Sequence, residues 1–165
     1  MAGKAQHDSS GRSEAAGSRI LIIEARFYTA IADVLAAGAL AELEHAGASF
    51  ERIAVPGALE IPQALAAAAA AGAIPRRDFD GCIALGTVIR GETSHYDTVC
   101  DNANHWLMEV AIRHNIPVGN AILTVESEAQ AFARARGGRE GKGADAARAC
   151  LRLIALKKQF VRRPA

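Results

Sequence analysis

Four short apolar runs alternate with longer stretches of helical character, and that alternation leaves few folds open to this chain. The runs are Arg19 to Glu24, Ser49 to Val55, Gly81 to Gly86 and Pro117 to Thr124. The first, Arg19-Ile-Leu-Ile-Ile-Glu24, is apolar without a break between its ends, the pattern of a strand covered on both faces. Ser49 to Val55 alternates only in part, and Pro56-Gly57 breaks it. Between these two runs, Ala30 to Ala46 carries Ile31, Val34, Leu35, Leu40 and Leu43 at helical spacing, and Gly47 ends it. Ile61 to Ala71 predicts a second helix, with Pro62 in the first turn, where a missing N–H is tolerated. Gly72 to Asp80 reads as a loop. A third helix spans Ser94 to His114, with Val99, Ala103, Trp106 and Val110 on one face. Ser127 to Arg136 and Ala144 to Phe160 complete the helices, separated by the loop Gly137-Gly-Arg-Glu-Gly-Lys-Gly143. The order β-α-β-α-β-α-β-α-α predicts a single α/β domain: three layers, α/β/α, around a central four-stranded, mainly parallel sheet with right-handed crossovers.

Composition narrows the class further. Apolar residues make up 50% of the 165-residue chain but aromatics only 5%, which favours alanine-rich helices on a small sheet over a β-sandwich. A formal net charge of +1 provides no global field to recruit nucleic acid or a membrane surface. The three cysteines, Cys82, Cys100 and Cys150, have no metal-ligand spacing and read as reduced, buried thiols. No apolar segment near the start resembles a secretory signal, and the apolar stretch from Ile61 to Ile74 is too short to span a bilayer. A cytoplasmic protein is expected. Residues 1–18, rich in Gly, Ser, Ala and charge, are expected to form a flexible tail, 19–160 the domain, and 161–165 a short C-terminal tail.

In a parallel sheet the loops after the strands lie side by side at one edge, where ligands of open α/β folds bind. Three such loops carry chemistry. The first strand leads to Arg26-Phe27-Tyr28, the second to Val55-Pro-Gly-Ala-Leu-Glu60, and the third to Thr87-Val-Ile-Arg-Gly-Glu-Thr-Ser-His95, read as a polar turn from Thr87 to Thr93 before the helix. Phe27 is either a core aromatic or a stacking platform for a flat heterocycle. Glu60 is either a helix-start carboxylate favoured by the dipole or an acceptor for ligand hydroxyl and amine groups. Arg90 is either a partner for an acid or part of the site, and Thr93 either caps the next helix or meets a phosphate oxygen. Backbone N–H groups at a helix start suit a phosphate. His95, one residue inside the helix, is the best of the five histidines for proton transfer near neutral pH. Arg134 and Lys142 flank the glycine-rich loop, which is either a mobile surface loop or a phosphate-holding one. No GxGxxG or P-loop pattern is present, and no His/Cys/Asp set has metal-ligand spacing.

Four stretches taken together resemble one family, the 6,7-dimethyl-8-ribityllumazine synthases, which catalyse the penultimate step of riboflavin biosynthesis. They are Ile23-Glu-Ala-Arg-Phe27, Val55-Pro-Gly-Ala-Leu-Glu-Ile-Pro62, Ala84-Leu-Gly-Thr-Val-Ile-Arg-Gly-Glu-Thr-Ser-His-Tyr-Asp97, and Ile122-Leu-Thr-Val-Glu126 with Gln130 and Lys142-Gly143. They occur in the family's order and cover nearly everything from Arg19 to Phe160. The resemblance implies a flavodoxin-like fold and a condensation that uses no cofactor. The implied substrates are 5-amino-6-(D-ribitylamino)uracil and 3,4-dihydroxy-2-butanone 4-phosphate; the products are the lumazine, phosphate and water. Carried over by position, Phe27 stacks on the pyrimidine. Ala58, Leu59 and Glu60 bind the ribityl chain and its amine end. Thr87, Val88 and Ile89 line the ring pocket, partly through backbone. Glu92 and Thr93 meet the phosphate with Arg134 as its charge partner, and His95 donates and accepts protons. The resemblance further implies a homo-oligomer, a pentamer or a larger shell of pentamers, with sites shared between subunits. Asn120, Arg134 and Lys142 would face the site of a neighbouring chain.

Two departures from the family pattern stand out. In Pro117-Val-Gly-Asn120, Asn120 occupies a position where most members carry phenylalanine, so the ring pocket loses an aromatic wall. Gly137-Gly-Arg-Glu-Gly141 precedes Lys142 where members often have asparagine. Both resemble the variant form found beside a second copy in some bacteria, which implies a division of labour between paralogues. Two other readings stay open from sequence: a flavin or lumazine binder without turnover, and a shell protein.

Overall fold

The computed structural model describes residues 15–162, and most of both expected tails, residues 1–14 and 163–165, lies outside the described residues. Four strands form one sheet: β1 (Arg19–Ala25), β2 (Ser49–Val55), β3 (Gly81–Ile89) and β4 (Val118–Val125). Five helices connect and cover them: α1 (Thr29–Ala46), α2 (Glu60–Ala70), α3 (His95–Arg113), α4 (Glu128–Ala135) and α5 (Lys142–Arg162). All strand pairs are parallel, in the order β2-β1-β3-β4. This is the flavodoxin-like arrangement, in which strand order reverses between β1 and β3 and opens a crevice at their carboxyl ends.

Strand alternation divides the core in two. Ile20 and Ile22 of β1, Ile83 and Leu85 of β3 and Leu123 of β4 point to one face, covered by α1, α4 and α5. Leu21 and Ile23, Cys82 and Ala84, and Ile122 point to the other, covered by α2 and α3. The central strands β1 and β3 are buried on both faces, as their unbroken apolar sequence requires, whereas edge strand β2 alternates between exposed and half-buried. Gly47 ends α1 in the left-handed conformation, φ 71°, and its N–H donates to Glu44 O. Ser127 caps α4 by accepting the Gln130 N–H at 3.3 Å. At Gly119 a Cβ would lie 1.9 Å from Ala146 O, so β4 and α5 meet backbone to backbone. At Gly143 a Cβ would lie 2.0 Å from Leu35 O, which brings the first turn of α5 equally close to α1.

Several boundaries differ from the sequence expectation. The fold begins before Arg19: Ala15 is fully buried in the α1-side core, the Gly17 N–H donates to Gly47 O, and Ser18 O accepts from the Ser49 N–H. At the other end α5 continues to Arg162, past the expected stop at Phe160. Strand β3 runs on through Thr87, Val88 and Ile89, which the sequence suggested were a turn, because β4 keeps pairing with it to Ile89↔Val125. Three successive β-branched residues fit that extension. In α3 the buried stripe is Ala103, Leu107 and Ala111, while Trp106 is half exposed rather than on the core face.

Candidate active site

The site is built where β1, β2 and β3 end. Glu24, near the end of β1, is 2% exposed and would be costly to bury alone. Two arginines resolve this. Arg52 of β2 engages it through Nε and, at 3.0 Å, through Nη2; Arg26 reaches it through Nη1 at 3.1 Å. Arg26 also donates through Nη2 to Asp33 of α1 at 2.7 Å, and its backbone N–H donates to Val55 O at 3.0 Å. The loop that follows is therefore held from both sides, and it presents Phe27 to solvent: the ring is 73% exposed and touches Tyr28 edge-on at 5.0 Å between centroids. A core role for Phe27 is excluded by that exposure, and an open ring face at a strand end suits stacking.

After β2, Pro56 and Gly57 turn the chain so that Glu60 becomes the first residue of α2, where the helix dipole favours its negative charge. Its N–H donates to Gly57 O at 3.2 Å, closing the turn that carries Ala58 and Leu59. Ala58 is buried against the α2–α3 core and Leu59 half-buried beside it. After β3 comes the exposed segment Arg90 to Ser94, and α3 begins at His95. Thr93 does not cap that helix through the usual side-chain bond; its Oγ1 lies 3.4 Å from the His95 N–H, and Ser94 is the N-cap residue. His95, Thr93 and Glu92 are all exposed at this helix start. The structure thus gathers Phe27, Ala58, Leu59, Glu60, Thr87, Val88, Ile89, Glu92, Thr93 and His95 at one edge of the sheet. Within that group, Thr87 differs in one respect. By alternation its side chain shares the face of Ile83 and Leu85, and its Oγ1 is buried without a hydrogen-bond partner among the described residues. Toward the strand-end crevice Thr87 offers its backbone.

Three candidates stand apart within one chain. Asn120 pairs with Ala84, five residues short of the Ile89 end of β3, a distance of about 16 Å along the strand. Its Nδ2 donates to Asn104 Oδ1 at 2.8 Å and its Oδ1 accepts the Ile122 N–H at 2.8 Å, so this polar residue is tied to α3 and to its own strand. Arg134 lies seven residues along α4 from Ser127, about 10 Å down the helix, on the opposite face from α2 and α3. Its Nη1 donates to Gln130 O at 3.3 Å. Lys142 opens α5 and pairs with Asp145 at 2.9 Å.

The glycine-rich loop before α5 is anchored. Glu42 of α1 is 1% exposed, and its Oε2 accepts from Arg139 Nε and Arg148 Nη1, each at 2.9 Å. Arg148 also holds Asp145 at 2.7 Å and the Arg139 carbonyl at 2.9 Å. Burial would raise the Asp145 carboxyl, but Lys142 and Arg148 outweigh it and hold it below its ordinary range. Neither Glu42 nor Glu24 stood out in sequence. Each is a carboxylate among apolar residues, Glu24 inside the stretch Ile23-Glu-Ala-Arg-Phe27, but nothing local names their partners, which lie up to 106 residues away.

The comparisons with known proteins fit this geometry. A family model described as 6,7-dimethyl-8-ribityllumazine synthase matches residues 17–158. A relative of that name from Methylobacterium radiotolerans is 52% identical over 143 residues, 87% of this chain and 84% of its own length. One from Nitrobacter hamburgensis is 44% identical over 151 residues, 92% of this chain and 93% of its own. A protein from Mesorhizobium japonicum named 6,7-dimethyl-8-ribityllumazine synthase 1 is 43% identical over 160 residues, 97% of this chain and 98% of its own. A family match over almost the whole domain, with relatives aligned nearly end to end, assigns the chain: it belongs to the 6,7-dimethyl-8-ribityllumazine synthase family.

Proposed function

We propose that this protein condenses 5-amino-6-(D-ribitylamino)uracil with 3,4-dihydroxy-2-butanone 4-phosphate to give 6,7-dimethyl-8-ribityllumazine, phosphate and water. The observation that carries the reading is the family match across residues 17–158, together with the clustering of the family's motif residues at one sheet edge. Phe27, exposed at the end of β1, offers the flat face on which the pyrimidine stacks. Glu60 at the start of α2 accepts from the ribityl hydroxyls, with Ala58 and Leu59 shaping that side, and the backbone of Thr87, Val88 and Ile89 lines the ring. The phosphorylated substrate lies over the start of α3, near Glu92 and Thr93, where the helix N–H groups favour an anion. His95 moves protons at the reacting atoms. Imine formation between the uracil 5-amino group and the butanone carbonyl expels water, elimination releases phosphate, and ring closure onto the ribityl-bearing nitrogen expels a second water. Each step needs a proton delivered or removed, and one imidazole, able both to donate and to accept through its ring nitrogens, serves all of them. Holding both substrates in one crevice supplies much of the rate gain.

The positions of Asn120, Arg134 and Lys142 favour a shared site. They lie away from the strand-end cluster of their own chain, and a neighbouring subunit in a pentamer, or in a shell of pentamers, would present them to it. Exposed apolar residues on α3, Trp106 and Ile112, suit burial in such an assembly. A cytoplasmic enzyme fits this role; among the described residues no helix is long and apolar enough to cross a membrane. The test is turnover of the two substrates, followed by lumazine absorbance and phosphate release. Formation of the lumazine with stoichiometric phosphate is expected. Tight lumazine or flavin binding without turnover would replace the enzyme with a binding protein.

A further inference from the structure

Arg90 has no role in the chemistry above, yet its side chain joins three supports of the site: Glu126, Asp97 and the Tyr96 ring. It sits at the end of β3, where its N–H donates to Val125 O of β4 at 2.9 Å. Its Nε lies 3.1 Å from Glu126 Oε1 and 3.0 Å from Oε2, at the start of the β4–α4 turn. Its Nη1 reaches Asp97 Oδ1, in the first turn of α3, at 3.3 Å. Its guanidinium lies over the Tyr96 ring, 4.1 Å from the centroid. From Glu126 the connection continues: the Glu126 N–H donates to Gln130 Oε1 at 3.0 Å, and Gln130 O accepts from Arg134.

The segment this arrangement encloses has little else to order it. Gly91 to Ser94 is exposed, and the space around the Gly91 Cα is open. A glycine-bearing loop left to itself samples many conformations, and a phosphate bound at its end would have to freeze it. One exposed ion pair contributes little to that. A planar guanidinium that grips carboxylates on both sides of the loop and stacks on an aromatic contributes more, because a single rigid group fixes three elements at once.

We propose that Arg90 is a positioning residue. It clamps the Gly91–Ser94 loop between the first turn of α3 and the β4–α4 turn, and so fixes the phosphate-binding end of the site without touching substrate. The inference rests on the function proposed above. It predicts an asymmetric defect. Arg90→Gln raises KM for the butanone phosphate, and the inhibition constant of inorganic phosphate, by about tenfold, while KM for the ribitylaminouracil stays within about twofold. Arg90→Lys fails to restore either, because an ammonium cannot hold two carboxylates and stack on the ring. Glu126→Gln, which leaves Asp97 and Tyr96 in place, gives part of the same defect. Hydrogen exchange of the 91–94 amides, measured on the full assembly, accelerates in Arg90→Gln while the β1 and β3 amides stay protected. Unchanged KM, inhibition constant and exchange in Arg90→Gln overturn the inference, and so does an equal loss for both substrates with global loss of protection. If the wild-type protein makes no lumazine, the functional reading fails, and the exchange of residues 91–94 still decides whether Arg90 is the clamp.

Discussion

At the scale of single residues, the structure separates side chains that face the crevice from those that only stand near it. His95 is exposed at a helix start beside Thr93. Replacing His95 with alanine should lower kcat by about 10²- to 10⁴-fold, the range for a lost general acid–base, with little change in thermal stability; paired kinetics and melting curves check both halves. Thr87 is the opposite case. Its hydroxyl is buried with no partner among the described residues, and such an orphan costs about 1–3 kcal/mol. Thr87→Val keeps the shape, removes the orphan and should raise Tm, with turnover retained because the crevice sees only the backbone. The cysteines test burial directly. Desolvation pushes the Cys150 thiol up to about 12 and Cys82 well above its ordinary value. Neither should be alkylated by iodoacetamide in the native protein at neutral pH, and both should be after unfolding, as mass spectrometry of labelled peptides would show.

At the scale of elements, what matters is how α5 is held against α1 and β4. Its first turn meets α1 at Gly143, its second meets β4 at Gly119, and Glu42 gathers Arg139 and Arg148 above them. Gly119→Ala would drive a methyl into Ala146 O and should cost about 1–3 kcal/mol in denaturant titrations, shifting α5 and Lys142 with it. The Asp145 carboxyl gives a pH signature with a definite sign. Lys142 and Arg148 hold it below its ordinary value against the opposing effect of burial, so the folded state binds its proton less readily than the unfolded chain. Its stabilising contribution is complete above the unfolded value and disappears as pH falls through the lower folded one. Asp145→Asn should therefore be less stable than the wild type at neutral pH, and the difference should close below about pH 4. The glycine-rich loop illustrates why sequence left its state open: seven residues with four glycines read as mobile, and only the buried Glu42, nearly a hundred residues away, shows that it is fixed.

At the scale of the whole molecule, the strand-end cluster of the chain lies at the sheet edge beside the exposed segment Arg90 to His95. Two apolar grooves lie on the described surface: one of about 640 Å³, away from that cluster, between the end of α3 and α5 and lined by Ile112, Leu153 and Phe160, and one of about 410 Å³ between α2 and α3, which adjoins the cluster at Leu59 and reaches Trp106. Completion by a neighbouring chain predicts that light scattering gives a multiple of five chains. It also predicts that mixing inactive His95→Ala and Arg134→Ala subunits by co-expression restores part of the activity, since some mixed interfaces carry both intact residues. No recovery in mixed assemblies would mean that each chain works alone.

Much of this was legible in the sequence, for a physical reason in each case. Unbroken apolar runs specify strands buried on both faces, and their alternation with helices specifies a parallel sheet whose loops converge at one edge, which is why Phe27, Glu60 and His95 could be grouped before any coordinates. Local signals such as Gly47 at the end of α1 and Ser127 at the start of α4 act over a few residues and are read locally. What tertiary structure alone decided acts across long separations. The continuation of β3 to Ile89 depends on β4, the burial of Ala15 on the α1-side core, and the partners of Glu24, Glu42 and Arg90 on which strands lie side by side. A sequence states which side chains carry charge; only the packed chain determines which of those charges must meet, because a carboxylate taken out of water has to find its arginine wherever the fold has placed it.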